Sequence, residues 1–204
     1  MQQKITSKTF NDCEVCAYHE SGHILFAYLC GYTCIEAQLI SPPNADGYSS
    51  YAVIDYGKDA ATASKILNRN LSIDDLKAAS LAEKMEVVEV GRKLSRIYIG
   101  GSVTATVYNN KGNVHVPLPV QMDLDDLENA EHIQNVLQQL SSDQERDFIE
   151  NGLHQALNTL SNTNVWNTAA DLANRLLEMK QIQKGDIEEC LEEHGLFFDE
   201  ASST

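Results

Sequence analysis

The chain has 204 residues, 43% of them hydrophobic, enough to bury a core as one domain or as one domain with a helical extension packed on it. Its 30 acidic residues against 15 Lys and Arg give a formal net charge of −15, which repels phosphate backbones and anionic lipid and argues against nucleic acid as a partner. No apolar run approaches the ~20 residues that span a bilayer, and Met1-Gln2-Gln3-Lys4 lacks the apolar core of a signal peptide, so the expectation is a cytoplasmic protein with no membrane segment.

Residues 12 to 30 read as a helix that is apolar around most of its circumference, through Val15, Ala17, Ile24, Leu25, Phe26, Ala27 and Leu29, and is therefore expected to be buried. Gly31 stops it. Four of the five cysteines (Cys13, Cys16, Cys30 and Cys34, with Cys190 far away) crowd into this stretch, which is unlike the disulfide framework of a secreted domain and fits a reducing compartment. Two strands follow, Ile35 to Ile40 and Tyr48 to Tyr56, separated by the turn-forming run Ser41 to Gly47.

A helix-rich stretch is expected from Ser72, with Asp74 and Asp75 in its first turn, to Ile99, where Gly100-Gly101 end it. Residues 102 to 121, rich in Val and Thr and holding two prolines, predict an extended hairpin or long loop. Helical spacing returns from Asp125 to Leu140, then over about 143 to 160 and 165 to 180, and in a short helix from Asp186 to about Glu193. The tail after Asp199 is expected to fray. These elements make a mainly helical α+β fold, with a buried helix and small sheet in one part and a C-terminal bundle of helices in the other.

The chemistry lies in His19-Glu20-Ser21-Gly22-His23. Two imidazoles four residues apart leave one face of a helix one turn apart and can bind a single tetrahedral metal, and a Glu directly after the first His can reach the metal's water. Burying two imidazoles and a carboxylate without partners would cost several kcal/mol, so an ordinary structural role demands a hydrogen-bond network in the metal's place. Gly22 costs helix stability and is explained by a close backbone contact or a tightly packed site.

A catalytic zinc takes three protein ligands and keeps one open position. Asp126 is the best candidate for the third, because Asp126, Ala130, Ile133, Leu137 and Leu140 share one helical stripe and a buried carboxylate needs a cation, a metal or strong donors. Asp125 and Glu128 fall on other faces as solvated first-turn acids. Asp123 stays open. Glu131 and His132 lie off the stripe and His115 in a loop, so they read as surface residues. Cys16, three residues before His19, can approach the metal, although a small buried core residue is its plainer role.

Ala17-Tyr18-His19-Glu20-Ser21-Gly22-His23 resembles the A-Y-H-E-A-G-H of the peptidase domain of FtsH-type, membrane-anchored ATP-dependent zinc metalloproteases, differing only at Ser21. Leu124 to Ala130 is similar to that family's S-N-D-L-E-R-A, whose aspartate is the third zinc ligand, and this correspondence again selects Asp126. Asn174 to Glu178 and Lys184 to Glu188 are similar to its closing helices. The chain departs in lacking any G-x-x-x-x-G-K-[ST] phosphate loop and any membrane anchor, in having Leu94-Ser95-Arg96 where the family has A-A-E-E, and in having Val116-Pro117-Leu118-Pro119 where it has a glycine-rich approach to the third ligand.

The resemblance implies one stand-alone peptidase domain over 1–204 with a zincin-like active-site helix. Residues 1–140 form the metal-site part, 141–198 the C-terminal helical part and 199–204 a disordered tail. The expected activity is that of an HExxH zinc metalloendopeptidase. His19, His23 and Asp126 hold Zn2+, zinc-bound water is the nucleophile and Glu20 the general base, with Gly47 to Tyr56 binding substrate by strand addition. The expected partner is a peptide or unfolded protein; a separate ATPase and a homo-oligomer stay open, as does an inactive peptide-binding or regulatory module.

Overall fold

The computed structural model describes residues 6–7, 12–41, 47–114, 120–140 and 148–196. Among them the fold is mainly helical α+β, with a three-stranded antiparallel sheet.

Helix α1 (Cys13–Leu29) begins where the Asp12 carboxylate accepts from the Glu14 and Val15 amides, and it ends at Cys30 followed by Gly31 with φ +80°. As expected, most of its surface is buried. Asp12→Ala removes the cap and should cost about 1 kcal/mol, lowering Tm by roughly 2–4 °C in a thermal melt.

The chain returns as β2 (Thr33–Ile40) and β3 (Ser49–Asp55), an antiparallel pair whose register shifts between Cys34 and Glu36. The irregularity at Ile35 explains why the buried positions of β2 run Cys34, Ala37, Leu39 rather than in strict alternation. β5 (Gln181–Gln183), which the sequence reading did not find, pairs with the other edge of β2, so the sheet order is β3-β2-β5. It puts Ile182 into the core opposite Ala37.

Between sheet and long helix lie a 3-10 turn (Gly57–Asp59) and α2 (Ala60–Leu67), a helix the sequence reading also missed. The helix expected from Ser72 to Ile99 is two helices: α3 (Ile73–Ala78), capped by Ser72, and α4 (Leu81–Asn109). The break falls at Ser80, whose hydroxyl and Glu83 form a reciprocal capping box.

α4 does not stop at Gly100-Gly101 but continues through residues expected to be extended. Val103 and Val107 are buried in the core, and Thr104 and Thr106 donate their hydroxyls to the Gly100 and Ser102 carbonyls one turn back, so these β-branched residues sit in the helix without stranded polar atoms. Burial has overridden strand propensity. The helix gives way at Asn110, followed by Lys111 (φ 57°) and Gly112 (φ 75°). The only strand found in 102–121 among the described residues is β4 (Gln121–Met122), which runs parallel to β1 (Thr6–Ser7).

α5 (Leu124–Leu140), α6 (Phe148–Leu160), α7 (Thr163–Met179) and α8 (Lys184–Glu193) follow the expected order, while the Pro42 to Asp46 turn, Val116 to Pro119 and the tail lie outside the described residues. α1 crosses α4 along their middles and packs α7 on another side; the main core joins α1, β2, the second half of α4, α6, α7 and α8. A second cluster joins α2, the first half of α4 and α5. No helix among the described residues is long and apolar enough to cross a membrane.

Candidate metal centre

The α1–α4 crossing is close because small residues meet there. A Cβ on Gly22 would lie 2.6 Å from the Gly100 carbonyl oxygen and from the Thr104 hydroxyl, and one on Gly101 would lie 2.6 Å from His23 Nε2. The glycines thus bring the His23 ring flat onto the backbone of α4, where His23 Nδ1 is 2.9 Å from the Ile97 carbonyl oxygen. That contact makes Nδ1 the donor and leaves Nε2 with its lone pair facing inward, the arrangement an outer backbone carbonyl commonly gives a metal-binding histidine.

His19, one turn before, aims its Nε2 at the same point, 3.0 Å from His23 Nε2. Asp126, in the first turn of α5, completes the group: its Oδ2 is 3.4 Å from His19 Nε2 and 3.3 Å from His23 Nε2. All three side chains are at least nine-tenths buried in residue terms, with His19 at 7%, His23 at 9% and Asp126 at 6% exposure. Ligand atoms about 2.0–2.1 Å from a tetrahedral zinc lie about 3.3 Å apart, so two imidazole nitrogens and a carboxylate oxygen at 3.0–3.4 Å fit that ion without rearrangement of the backbone.

Electrostatics point the same way. Burial works against a charged His23, but the facing Asp126 carboxylate outweighs it and holds the ring's pKa above its ordinary value; for His19, burial and the neighbouring His23 win, and its pKa is lowered. Burial pushes the Asp126 carboxyl up, yet His23, then His19 and Ser102, bring it below the usual carboxylate range. The Asp126 carboxylate facing two imidazoles thus favours positive charge at this point, and a divalent cation bound there displaces any proton the rings hold.

Glu20, 3% exposed, sits beside the cluster on α1, and one of its oxygens, Oε1, accepts from the Ser50 hydroxyl of β3 at 2.7 Å. β3 has no strand on its outer side among the described residues. Two residues that matter here escaped the sequence reading. Ser50 is one. Ser102 is the other: its hydroxyl donates to Asp126 Oδ2 at 3.2 Å and accepts from the Asp123 amide at 3.1 Å, tying the start of α5 to α4. Neither carries a signal in a linear motif, and Ser102 lies in the stretch expected to be extended.

The other candidates lie elsewhere. Asp123 caps α5, its carboxylate accepting from the Asp125 amide. Asp125 and Glu128 are exposed, and His132 Nε2 contacts the Ile66 carbonyl oxygen at 2.9 Å. Cys16 is buried in the core with its thiol 3.9 Å from the Tyr48 carbonyl oxygen, and burial pushes its pKa up to about 11. His115 lies outside the described residues. No protein-family model matches the chain, and no curated protein is significantly similar to it.

Proposed function

We propose that the chain is a zinc-dependent endopeptidase acting on peptides or unfolded protein. The observation that carries this reading is the convergence of His19 Nε2, His23 Nε2 and Asp126 Oδ2 at zinc-ligand separations with Glu20 beside them. The likeness of the Ala17 to His23 motif to that of FtsH-type peptidases supports the same reading.

A zinc ion held there would supply Lewis-acid activation of a water molecule and of the scissile carbonyl. The chain's own residues do the rest. Glu20 takes the proton of the attacking water and passes it to the leaving amine, which balances the reaction without any other acid. The Ser50 hydroxyl fixes one Glu20 oxygen and so orients the carboxylate. The outer edge of β3, which carries Ser50 and is unpaired among the described residues, offers backbone donors and acceptors to an extended substrate and leaves side-chain preference loose.

The test follows cleavage of an unfolded protein by the purified chain before chelation, after chelation and after zinc is restored. Activity should vanish and return. His19→Ala and Asp126→Ala should each lose one equivalent of zinc relative to wild type, together with all cleavage. Cleavage that survives both substitutions overturns the proposal, and substrate binding by the zinc-loaded chain with no turnover replaces it with a peptide-binding module.

A further inference from the structure

We propose a second divalent-metal site, built by Asp171 of α7 with Cys190 and His194 of α8, which ties the last helix to the core. Cys190 and His194 are four residues apart at the end of α8, so they leave the same face one turn apart, and His194 is that helix's C-cap. Asp171 reaches across from α7: its Oδ2 lies 3.3 Å from Cys190 Sγ and 3.4 Å from His194 Nε2.

These separations have chemical meaning. With zinc–oxygen and zinc–nitrogen bonds of about 2.0–2.1 Å and a zinc–sulfur bond of about 2.3 Å, tetrahedral ligands lie about 3.3 Å apart for the oxygen–nitrogen pair and about 3.5 Å for the oxygen–sulfur pair. All three ligand atoms lie within 4.8 Å of one another. Thiolate, imidazole and carboxylate form a donor set suited to zinc, with the fourth position left to solvent. Cys190 is fully buried while Asp171 and His194 are partly exposed, so the site has a buried anchor and an open side through which an ion can enter.

Charge favours a cation here. The site lies at the C-terminal, negative end of α8. Arg175 Nε stands 3.6 Å from the same Asp171 oxygen and opposes a metal, but its Nη1 is held at 3.0 Å by Glu189 and its Nη2 by Glu193, so two carboxylates already match its charge. Binding breaks the Cys190 S–H bond, forms a metal–sulfur bond and releases one proton to solvent, with no change in oxidation state.

The site is distinct from the His19–His23–Asp126 group in donor chemistry, because it alone includes a thiolate. The full chain, stripped of metal, is titrated with Co2+ and followed by absorption. The expected result is two equivalents bound, one of which brings a near-ultraviolet sulfur-to-cobalt charge-transfer band that a site of two imidazoles and a carboxylate cannot produce. Cys190→Ser and, at a less buried position, His194→Ala should each remove the band and one equivalent, leaving the d–d absorption of the first site. His19→Ala and Cys16→Ser should both keep the band, whatever becomes of peptide cleavage. Zinc should also slow amide exchange at the end of α8, and this protection should vanish in His194→Ala. Wild-type protein that binds without the band, or a band that survives Cys190→Ser, overturns the proposal and leaves a hydrogen-bonded cluster.

Discussion

Glu20→Gln should keep its fold and its zinc and lose about 100- to 10,000-fold in kcat, the range that a positioned general base contributes. The substitution removes the proton acceptor and little else. The amide oxygen of Gln can still accept from the Ser50 hydroxyl, so the 2.7 Å contact that orients the side chain survives. The side chain keeps its length, and neither imidazole of the metal group is touched. KM should change little, because Glu20 is assigned to the water and not to the peptide. Zinc content measured beside the rate makes the result decisive: full metal with a collapsed kcat supports Glu20 as the base, whereas full metal with an unchanged kcat removes the proposed mechanism. Loss of metal would mean that Glu20 helps to hold the site.

Much of this centre is legible in the sequence, for a physical reason. Helical geometry converts a spacing of four into two rings on one face, and a stripe of apolar positions favours Asp126 as the inward-facing carboxylate, although Asp123 stays open at that level. The structure brings their ligand atoms within 3.0–3.4 Å. Ser50 and Ser102 were not legible because their roles depend on which strand lies over α1 and where α4 runs beside α5, which is tertiary information.

The larger miss, α4, has the same origin. Gly100-Gly101 followed by Val and Thr reads locally as a helix stop and a strand, and only the buried crossing with α1 reverses that reading. In the same way β5 is three residues whose identity as a strand comes from the β2 edge beside it, and α2 is short and lies on α4. Three helix boundaries were nonetheless carried by local chemistry: Asp12 capping α1, Gly31 ending it and Ser72 capping α3. Where propensity and burial agree the sequence suffices, and where they conflict burial decides.

The crossing also yields a stability test that separates helix propensity from close approach. Gly22→Ala and Gly185→Ala are the same chemical change in two helices. At Gly185, in the first turn of α8, an added Cβ meets nothing within 4 Å, so the change should stabilise by about 0.5–1 kcal/mol through lower backbone entropy and raise Tm by roughly 1–4 °C. At Gly22 the same Cβ would be 2.6 Å from the Gly100 carbonyl oxygen and 2.8 Å from the Gly101 Cα, and backbone atoms cannot rotate away. α1 and α4 must separate, and overpacking of this kind costs about 1–3 kcal/mol or more, exceeding the gain in helix propensity. Tm should fall by roughly 2–10 °C. Separation also draws His23 away from the Ile97 carbonyl and from Asp126, so zinc should bind more weakly in Gly22→Ala and unchanged in Gly185→Ala. If both variants gain stability and hold zinc equally, the α1–α4 approach is looser than the geometry requires, and the glycine in the motif needs another explanation.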